Sequence, residues 1–426
     1  MIDIRLIRSN PKIVIQNLKK RDDKEKVKWV EEIQVLDEKW RSGLQQIDKL
    51  RHKRNEVTQE ISKLKQEKKP VTKQIKEVKE IPDKIRSLEE RNQKCKEKID
   101  YYMMRLPNIL HDSVPTGKGE EDNKVVRTWG KPPKFDFKPK NHMELLTNLN
   151  LIDQERANKI SGHGFYYFKN ELVLLDQALQ RYAINFLMKK GYMLVNPPYM
   201  MRKKPYEGVI KLDDFKDVIY KVEGEDLYLI ATSEHPMAAM FSGEVLEKSR
   251  LPLKLVGVSP CFRKEVGAHG KYTKGLFRMH GFNKVEQFIF SLPEDSWKLH
   301  EEMQKDAEQL YQELGLPHRV TNVCTGDIGD IAAKKYDVEL WMADGVYREA
   351  GSNSNCTDYQ ARRLNIKYRE QEGKPPIGFV HTLNNTAIAT SRTMVALLET
   401  YQKKDGSVEI PKVLQPLMNG VKKLGK

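Results

Sequence analysis

Between Trp29 and Leu106 the apolar residues recur in steps of three and four. Trp29, Ile33, Leu36, Trp40, Leu44, Ile47 and Leu50 lead on to Val57, Ile61 and Leu64. After Pro70 the pattern resumes at Val71, Ile75 and Val78, then at Ile85, Leu88, Cys95, Ile99, Tyr102 and Leu106. Charged residues fill the positions between them. This spacing predicts two long amphipathic helices. A turn at residues 68–70 brings Trp29 near Leu106, so the two seams close on each other as an antiparallel coiled-coil hairpin. At ~1.5 Å per residue each arm is about 50–60 Å long. A turn at Pro82 would leave the arms badly unequal, so Pro82 is expected to kink the second helix rather than end it. Residues 1–20 read as a short helical lead-in, with Ser9-Asn10-Pro11 as a helix start.

Beyond the hairpin the period changes. Pro107-Asn108, GKGEED and KPPKFDFKPK punctuate residues 107–140 and mark a domain boundary. The expected organisation is an arm over 1–110, a linker over 111–140 and a second domain over 141–426. Residues 171–190 form an amphipathic helix that leads into a strand at 192–195 and then Asn196-Pro197-Pro198. Residues 217–290 are strand-rich, with two strands expected at 254–263 and 279–290, and 291–317 are mostly helical. A hairpin is expected at 338–342 and 345–348, further strands at 353–363 and 380–382, and a last helix from near Ser391. Strands mostly in antiparallel order with covering helices make an α+β domain. The segment between the first two strands carries Gly267, Gly270 and Gly275 and reads as a long loop.

The chain of 426 residues has room for two or three domains. It carries 75 Lys and Arg against 60 Asp and Glu, a formal charge of +15. That balance fits a polyanionic partner and equally a well-solvated basic surface. The tip of the hairpin is more pointed. From residue 63 to 76 there are six lysines, Lys63, Lys65, Lys68, Lys69, Lys73 and Lys76, and one acid, Glu67. A basic projecting arm can track a nucleic-acid backbone through phosphate contacts, although a coiled coil also serves as a spacer or an oligomer contact. Cys95, Cys261, Cys324 and Cys356 form no CxxC, which suggests a reducing compartment and no zinc ribbon. No apolar run approaches the ~20 residues of a bilayer span, and no signal sequence follows Met1, so no membrane association and a cytoplasmic location are expected. GxGxxG and GxxxxGK[ST] are both missing, so neither a Rossmann site nor a P-loop is supported.

Candidate chemistry gathers around 261–288. Arg263, Glu265, Arg278 and His280 sit at or near the strand ends that face the loop, with Glu286 further along the second strand. An arginine on a strand offers a planar fork to phosphate or carboxylate, and a carboxylate two residues on faces the same side. A phosphorylated, nitrogen-bearing substrate such as ATP would use both; a solvated hairpin is the plain alternative.

FRKE and GLFRMHGFNKVEQF in this stretch resemble motif 2 of the class II aminoacyl-tRNA synthetases, in the form found in the seryl-tRNA synthetase family. Thr232-Ser233-Glu234, within LYLIATSEHP, resembles that family's serine-binding Thr-x-Glu. Residues 381–399, HTLNNTAIATSRTMVALLE, resemble motif 3, with Arg392 as its arginine, and 171–198 resemble motif 1, which forms a homodimer interface. The resemblance implies a ligase that activates L-serine with ATP to seryl-adenylate and transfers the seryl group to the 3′ end of tRNA(Ser), and to tRNA(Sec) where present. It implies Arg263, Arg392 and Glu349 as catalytic residues. Arg263 would meet the α-phosphate and the substrate carboxylate, and Arg392 the γ-phosphate while covering the adenine. Glu265 would accept from the adenine amino group and Phe282 would stack on the base. Lys264, Met279, Ala350 and Gly351 complete the expected ATP site, with Glu349 and Ser352, which would also hold Mg²⁺. The expected serine pocket is Thr232, Ser233, Glu234, Arg263, Glu286 and Thr386. The arm would grip the long variable arm of the tRNA, and the Thr-x-Glu motif places the chain in the common, zinc-free type.

The chain departs from the family at 349–356, EAGSNSNC, where the usual form is closer to Glu-Ile-Ser-Ser-Cys-Ser-Asn. Ala350, Gly351 and Asn353 thereby remove hydroxyls and a thiol near the expected sites. Two other readings compete. Threonyl or prolyl class II ligases lack the N-terminal arm and usually append an anticodon-binding domain, for which the roughly 27 residues after Glu399 are too few. A catalytically dead paralogue is opposed by Arg263, Glu265, Glu286 and Arg392.

Overall fold

Two helices, Lys24–Gln66 and Thr72–Met103, run side by side and make the arm. They belong to a computed structural model that describes residues 1–211, 217–265 and 275–425. The chain divides into two compact units, Met1–Ile109 and Leu110–Lys426. Among the described residues no helix is long and apolar enough to cross a membrane.

In the first unit, the helices Ile4–Ser9 and Pro11–Lys20 precede the arm, with Pro11 at the first helical position. The arm seam is formed by Val30, Ile33, Ile47 and Val57 on one helix and by Ile81, Ile85, Ile99 and Tyr102 on the other, all buried. Two expected seam positions shift by one residue. Leu44 is exposed, and Gly43 takes its place because Asn92 lies there, where a Cβ would come within 2.1 Å of its Oδ1. Asn92 Nδ2 donates to Trp40 O at 3.1 Å. Val30, not Trp29, is fully buried, while Trp29 stacks on Tyr102 at 5.0 Å. The buried Asp37 accepts from Arg8 at 2.7 and 2.9 Å and from Arg41 at 2.9 Å, which ties the first helix to the arm and pairs the buried Asp37 charge. The second arm helix is continuous through Pro82, although the missing N–H leaves Val78 O without its ladder bond.

The second unit is built on an eight-stranded sheet of β1 (Lys124–Trp129), β2 (Met193–Val195), β3 (Leu253–Phe262), β4 (Gly281–Ser291), β5 (His318–Asn322), β6 (Lys334–Trp341), β7 (Tyr347–Asn355) and β8 (His381–Ala389). Their order is β1-β5-β6-β7-β8-β4-β3-β2. Every neighbouring pair is antiparallel except β2 with β3. Alternation along the strands sends Val256, Val285, Ile289 and Leu383 into a core with the helices Glu171–Lys189, Ser296–Glu313 and Thr390–Tyr401. Leu255, Phe288 and Phe290 enter a second core with the short helices Lys203–Val209, Glu234–Ala239 and Tyr359–Leu364.

Three expectations change. Residues 111–140 were expected to be a linker, yet they contain β1, the edge of the main sheet. The strand expected over 353–363 ends at Asn355 and gives way to the helix Tyr359–Leu364, because Ala361 and Leu364 bury themselves at helical spacing. The strand expected over 380–382 extends to Ala389; Asn384, Asn385 and Thr386 obscure its apolar alternation. Gly275 has φ +71°, a left-handed conformation that suits glycine. Gly267 and Gly270 of the expected loop lie outside the described residues.

Candidate active site

The sheet face away from the long helices carries a cavity of about 530 Å³. Thr232, Glu234, Arg263, Glu286, Glu349, Ser352 and Thr386 line it. They come from five places in the chain. Thr232 and Glu234 lie at the start of the short helix Glu234–Ala239, where Thr232 Oγ1 accepts from Glu234 N at 3.2 Å. Arg263 follows β3, Glu286 lies on β4, Glu349 and Ser352 on β7, and Thr386 on β8.

β7 shows how the local fold aims its side chains. Register slips between Val338 and Glu339, so Gly351 pairs with Val338 and Glu349 with Glu339. The extra residue, Ala350, is buried in the helix-side core, and the bulge returns Glu349 to the cavity beside Ser352 and Ser354. This resolves the departures at 350–353. Gly351 is required because a Cβ there would meet Thr386 O at 2.8 Å. Asn353 is fully buried and donates to His300 O at 2.9 Å and Gln304 Oε1 at 3.2 Å. Of these four positions only Ser352 presents a side chain to the cavity, so Ala350 and Gly351 can reach a ligand through backbone alone.

Opposite charges crowd the floor. Lys284 Nζ lies 2.5 Å from Glu286 Oε2, and both side chains are buried. Thr386 Oγ1 donates to Glu286 Oε2 at 3.3 Å, and Lys284 Nζ lies 3.4 Å from Thr386 Oγ1. Burial and the neighbouring Glu286 charge push the Glu234 carboxyl up to about 7. Burial takes His235 down to about 3, and its Nδ1 lies 2.8 Å from Tyr206 Oη. Arg392 Nη1 donates to Glu349 O at 3.0 Å and Glu349 Oε1 at 2.9 Å, with its guanidinium 4.9 Å from the Phe277 ring centre. Burial would raise Glu349, but Arg392, Lys335 and Arg263 outweigh it and hold the carboxyl below its usual value.

Other expected residues sit elsewhere. Ser233 is fully buried with its Oγ toward Gly257 beneath β3, and does not line the cavity. Glu265, in a left-handed conformation with φ +52°, forms an ion pair with Arg278, so its carboxylate already has a partner. His280 stacks on Phe165 at 4.8 Å and lies 2.5 Å from Tyr220 Oη, and burial lowers it, so it adds no charge at the strand end. Lys264 holds Val218 O through its backbone at 2.8 Å. Phe282 lies under the Arg263 guanidinium at 5.3 Å. With Met279 it also lines a smaller cavity of about 250 Å³ that includes Asp176.

Sequence reasoning missed Lys284, Ser354, Cys356 and Asn384 on the cavity wall. Three of them stand two residues from an expected one on the same strand: Lys284 from Glu286, Ser354 from Ser352, and Asn384 from Thr386. Strand alternation was the signal that would have found them.

The chain matches two family models, the seryl-tRNA synthetase N-terminal domain over residues 1–110 and the tRNA synthetase class II core domain (G, H, P, S and T) over residues 218–401. A serine–tRNA ligase from Methanocella arvoryzae is 52% identical over 425 residues, covering 100% of both chains. The structure resembles the crystal structure of seryl-tRNA synthetase from Pyrococcus horikoshii complexed with ATP, with a TM-score of 0.96 at 51% identity over 100% of this chain and 99% of that one. It also resembles the cytoplasmic serine–tRNA ligase from Naegleria fowleri in complex with AMP, with a TM-score of 0.90 at 35% identity over 100% of this chain and 98% of that one.

Proposed function

Because the chain belongs to the seryl-tRNA synthetase family, we propose that its 530 Å³ cavity is the place where serine and ATP react. The chain is a serine–tRNA ligase: it activates serine with ATP and transfers the seryl group to tRNA. The observation that carries the site assignment is convergence. Thr232, Glu234, Arg263, Glu286, Glu349, Ser352 and Thr386 come from separate motifs and meet on one cavity wall.

In the proposed mechanism the serine carboxylate attacks the α-phosphate, and the residues position the reactants and neutralise charge. Arg263, anchored through Nε to Ala231 O at 3.2 Å, presents the rest of its guanidinium to the carboxylate and α-phosphate. Arg392 takes the outer phosphates. Phe282, beneath Arg263, supports the adenine, with Met279, Lys264, Ala350 and Gly351 contributing backbone contacts and Glu265 accepting from the base. Glu234 and Thr232 receive the serine ammonium. Glu286, fixed by Thr386 and Lys284, accepts from the serine hydroxyl. A site built to pair that hydroxyl rejects alanine, which would leave buried polar groups unpaired. Glu349 and Ser352 offer only oxygen donors to the cavity, which suits Mg²⁺, and these two would hold it. When bound, the ion would neutralise phosphate oxygens.

The arm is the proposed tRNA grip. Lys63, Lys65, Lys68, Lys69, Lys73 and Lys76 are all exposed, around a turn where Lys68 has φ +55°. tRNA(Ser), and tRNA(Sec) where present, would be held there by backbone and shape, as RNA duplexes commonly are. A cytoplasmic location fits this substrate. The motif 1 segment, with Met188 near the end of the helix Glu171–Lys189 and Met193 and Leu194 on the edge strand β2, each 44–50% exposed, is the proposed homodimer surface. Light scattering should return twice the 49.6 kDa of one chain; the mass of a single chain would overturn the dimer.

The test of the activity is ATP–pyrophosphate exchange with a panel of amino acids. Serine alone should support it. After extensive chelation of zinc, Mg²⁺ alone should restore full exchange. Exchange driven by threonine or proline would overturn the substrate, and tightly bound stoichiometric zinc would overturn the zinc-free type.

A further inference from the structure

Glu234 is held from behind as well as facing the cavity. Its Oε1 accepts from Gln360 Nε2 at 3.3 Å and from Asn384 Nδ2 at 3.1 Å. Both amides take the same oxygen, which leaves Oε2 to a ligand. Gln360 is fully buried on the helix Tyr359–Leu364 and does not line the cavity. Its own Oε1 accepts from Thr382 Oγ1 at 2.7 Å, and Thr382 is fully buried on β8.

With Glu234 ionised, the form that receives an ammonium, the polarity of this chain of bonds is fixed. An ionised carboxylate only accepts, so the Gln360 NH₂ must face Glu234. Its carbonyl then faces Thr382, whose hydroxyl must donate. Thr382 thereby selects which end of the amide meets the carboxylate. Neither Gln360 nor Thr382 has a place on the cavity wall, so neither touches substrate there.

We propose that Gln360 is a positioning residue for the amino-acid substrate: its amide, aimed by Thr382, holds the Glu234 carboxylate in the orientation that receives the serine ammonium. This rests on Glu234 as the ammonium site, as set out above. The surroundings of Glu234 explain why it needs the help. Glu286 on β4 repels it, while Lys284 on β4 and Arg263 after β3 attract it. Tyr206, on the helix Lys203–Val209, and Cys356, just after β7, also feel its charge, and His235 is its neighbour in sequence. Burial and Glu286 already hold its carboxyl near 7, and the Gln360 bond acts in the opposite direction. Removing that donor raises the carboxyl further, so less of it is ionised near neutrality, and the ionised form returns as pH rises.

The test is Gln360→Met, which keeps length and shape but cannot donate. We expect the serine KM to rise about tenfold at pH 7, the size of one lost hydrogen bond to a charged group. The ATP KM and kcat should stay close to the parent values. The serine KM should fall back toward the parent value as pH rises, short of the range where serine's own ammonium titrates. Thr382→Val should shift the profile the same way, and Thr382→Ser should restore it. A parent-like serine KM and pH profile in Gln360→Met, or a KM raised equally at every pH, would overturn the proposal. If Gln360→Met does not fold, Thr382→Val against Thr382→Ser decides by the same criteria. Glu234→Gln separates the two ideas: if it leaves serine binding intact, the ammonium assignment fails; if it abolishes binding while Gln360→Met is parent-like, only the positioning role fails.

Discussion

Replacing Arg392 with alanine should lower serine-dependent ATP–pyrophosphate exchange by at least about 10²–10³-fold, the usual cost of losing one preorganised contact to developing charge. Two effects act together. The phosphate clamp goes, and of the three cations that offset its burial, Glu349 loses the one hydrogen-bonded to it, because Arg392 Nη1 bonds both its backbone O and its Oε1. A less well neutralised carboxylate would then face the triphosphate, with only Lys335 and Arg263 left to offset it. The protein should stay folded. The Arg392 and Glu349 side chains are 25% and 45% exposed, and partly exposed pairs contribute ~0–1 kcal/mol to stability. Arg392→Lys keeps the charge but not the planar fork and should fall between parent and alanine. Circular dichroism and thermal unfolding close to the parent, with exchange lost, is the expected pair of results. Exchange near the parent level would remove Arg392 from the active site.

How much was legible beforehand follows from which forces act locally. The arm was plain because its seam repeats over many turns and the helical period is intrinsic to the backbone. The shift from Leu44 to Gly43 was not, because it depends on Asn92, far away in sequence and seated where a side chain would collide. Thr232, Glu234, Arg263, Glu286, Glu349, Ser352 and Thr386 were legible as motif residues, as was Arg392, but the convergence of the first seven on one cavity, and the bond of Arg392 to Glu349, were not, since they depend on strand order in the sheet. The departures at Ala350, Gly351 and Asn353 looked like lost chemistry. They are packing: Ala350 occupies a bulge, Gly351 makes room for Thr386, and Asn353 bonds the helix beneath the sheet. Gln360 gave no signal, because a glutamine inside a short helix has no period or motif of its own. Its meaning comes only from a carboxylate 126 positions away in sequence.

Deleting residues 45–90 should separate the two half-reactions. The cut falls beside a contact that the structure keeps: Gly43 packs on Asn92, whose Nδ2 donates to Trp40 O. Leu44 and Arg91 therefore lie close together and can be joined by a short turn. What remains of the first unit retains Ile7, Val14, Leu18, Val30, Ile33, Ile99, Tyr102 and Leu106, all buried, and the Asp37 pair with Arg8. The catalytic unit, Leu110–Lys426, keeps all the cavity residues. Serine-dependent pyrophosphate exchange should stay near the parent rate. Aminoacylation of tRNA should fall by about 10²-fold or more, because the six tip lysines go at once and each phosphate they neutralise contributes through counterion release. The intact protein should show the same physics as salt dependence, with affinity for tRNA dropping steeply between low and physiological salt, and the deletion should flatten that slope. Exchange lost together with aminoacylation would mean that the arm supports the catalytic fold. Serylation unchanged by the deletion would make the coiled coil a spacer, and its lysines an ordinary solvated surface.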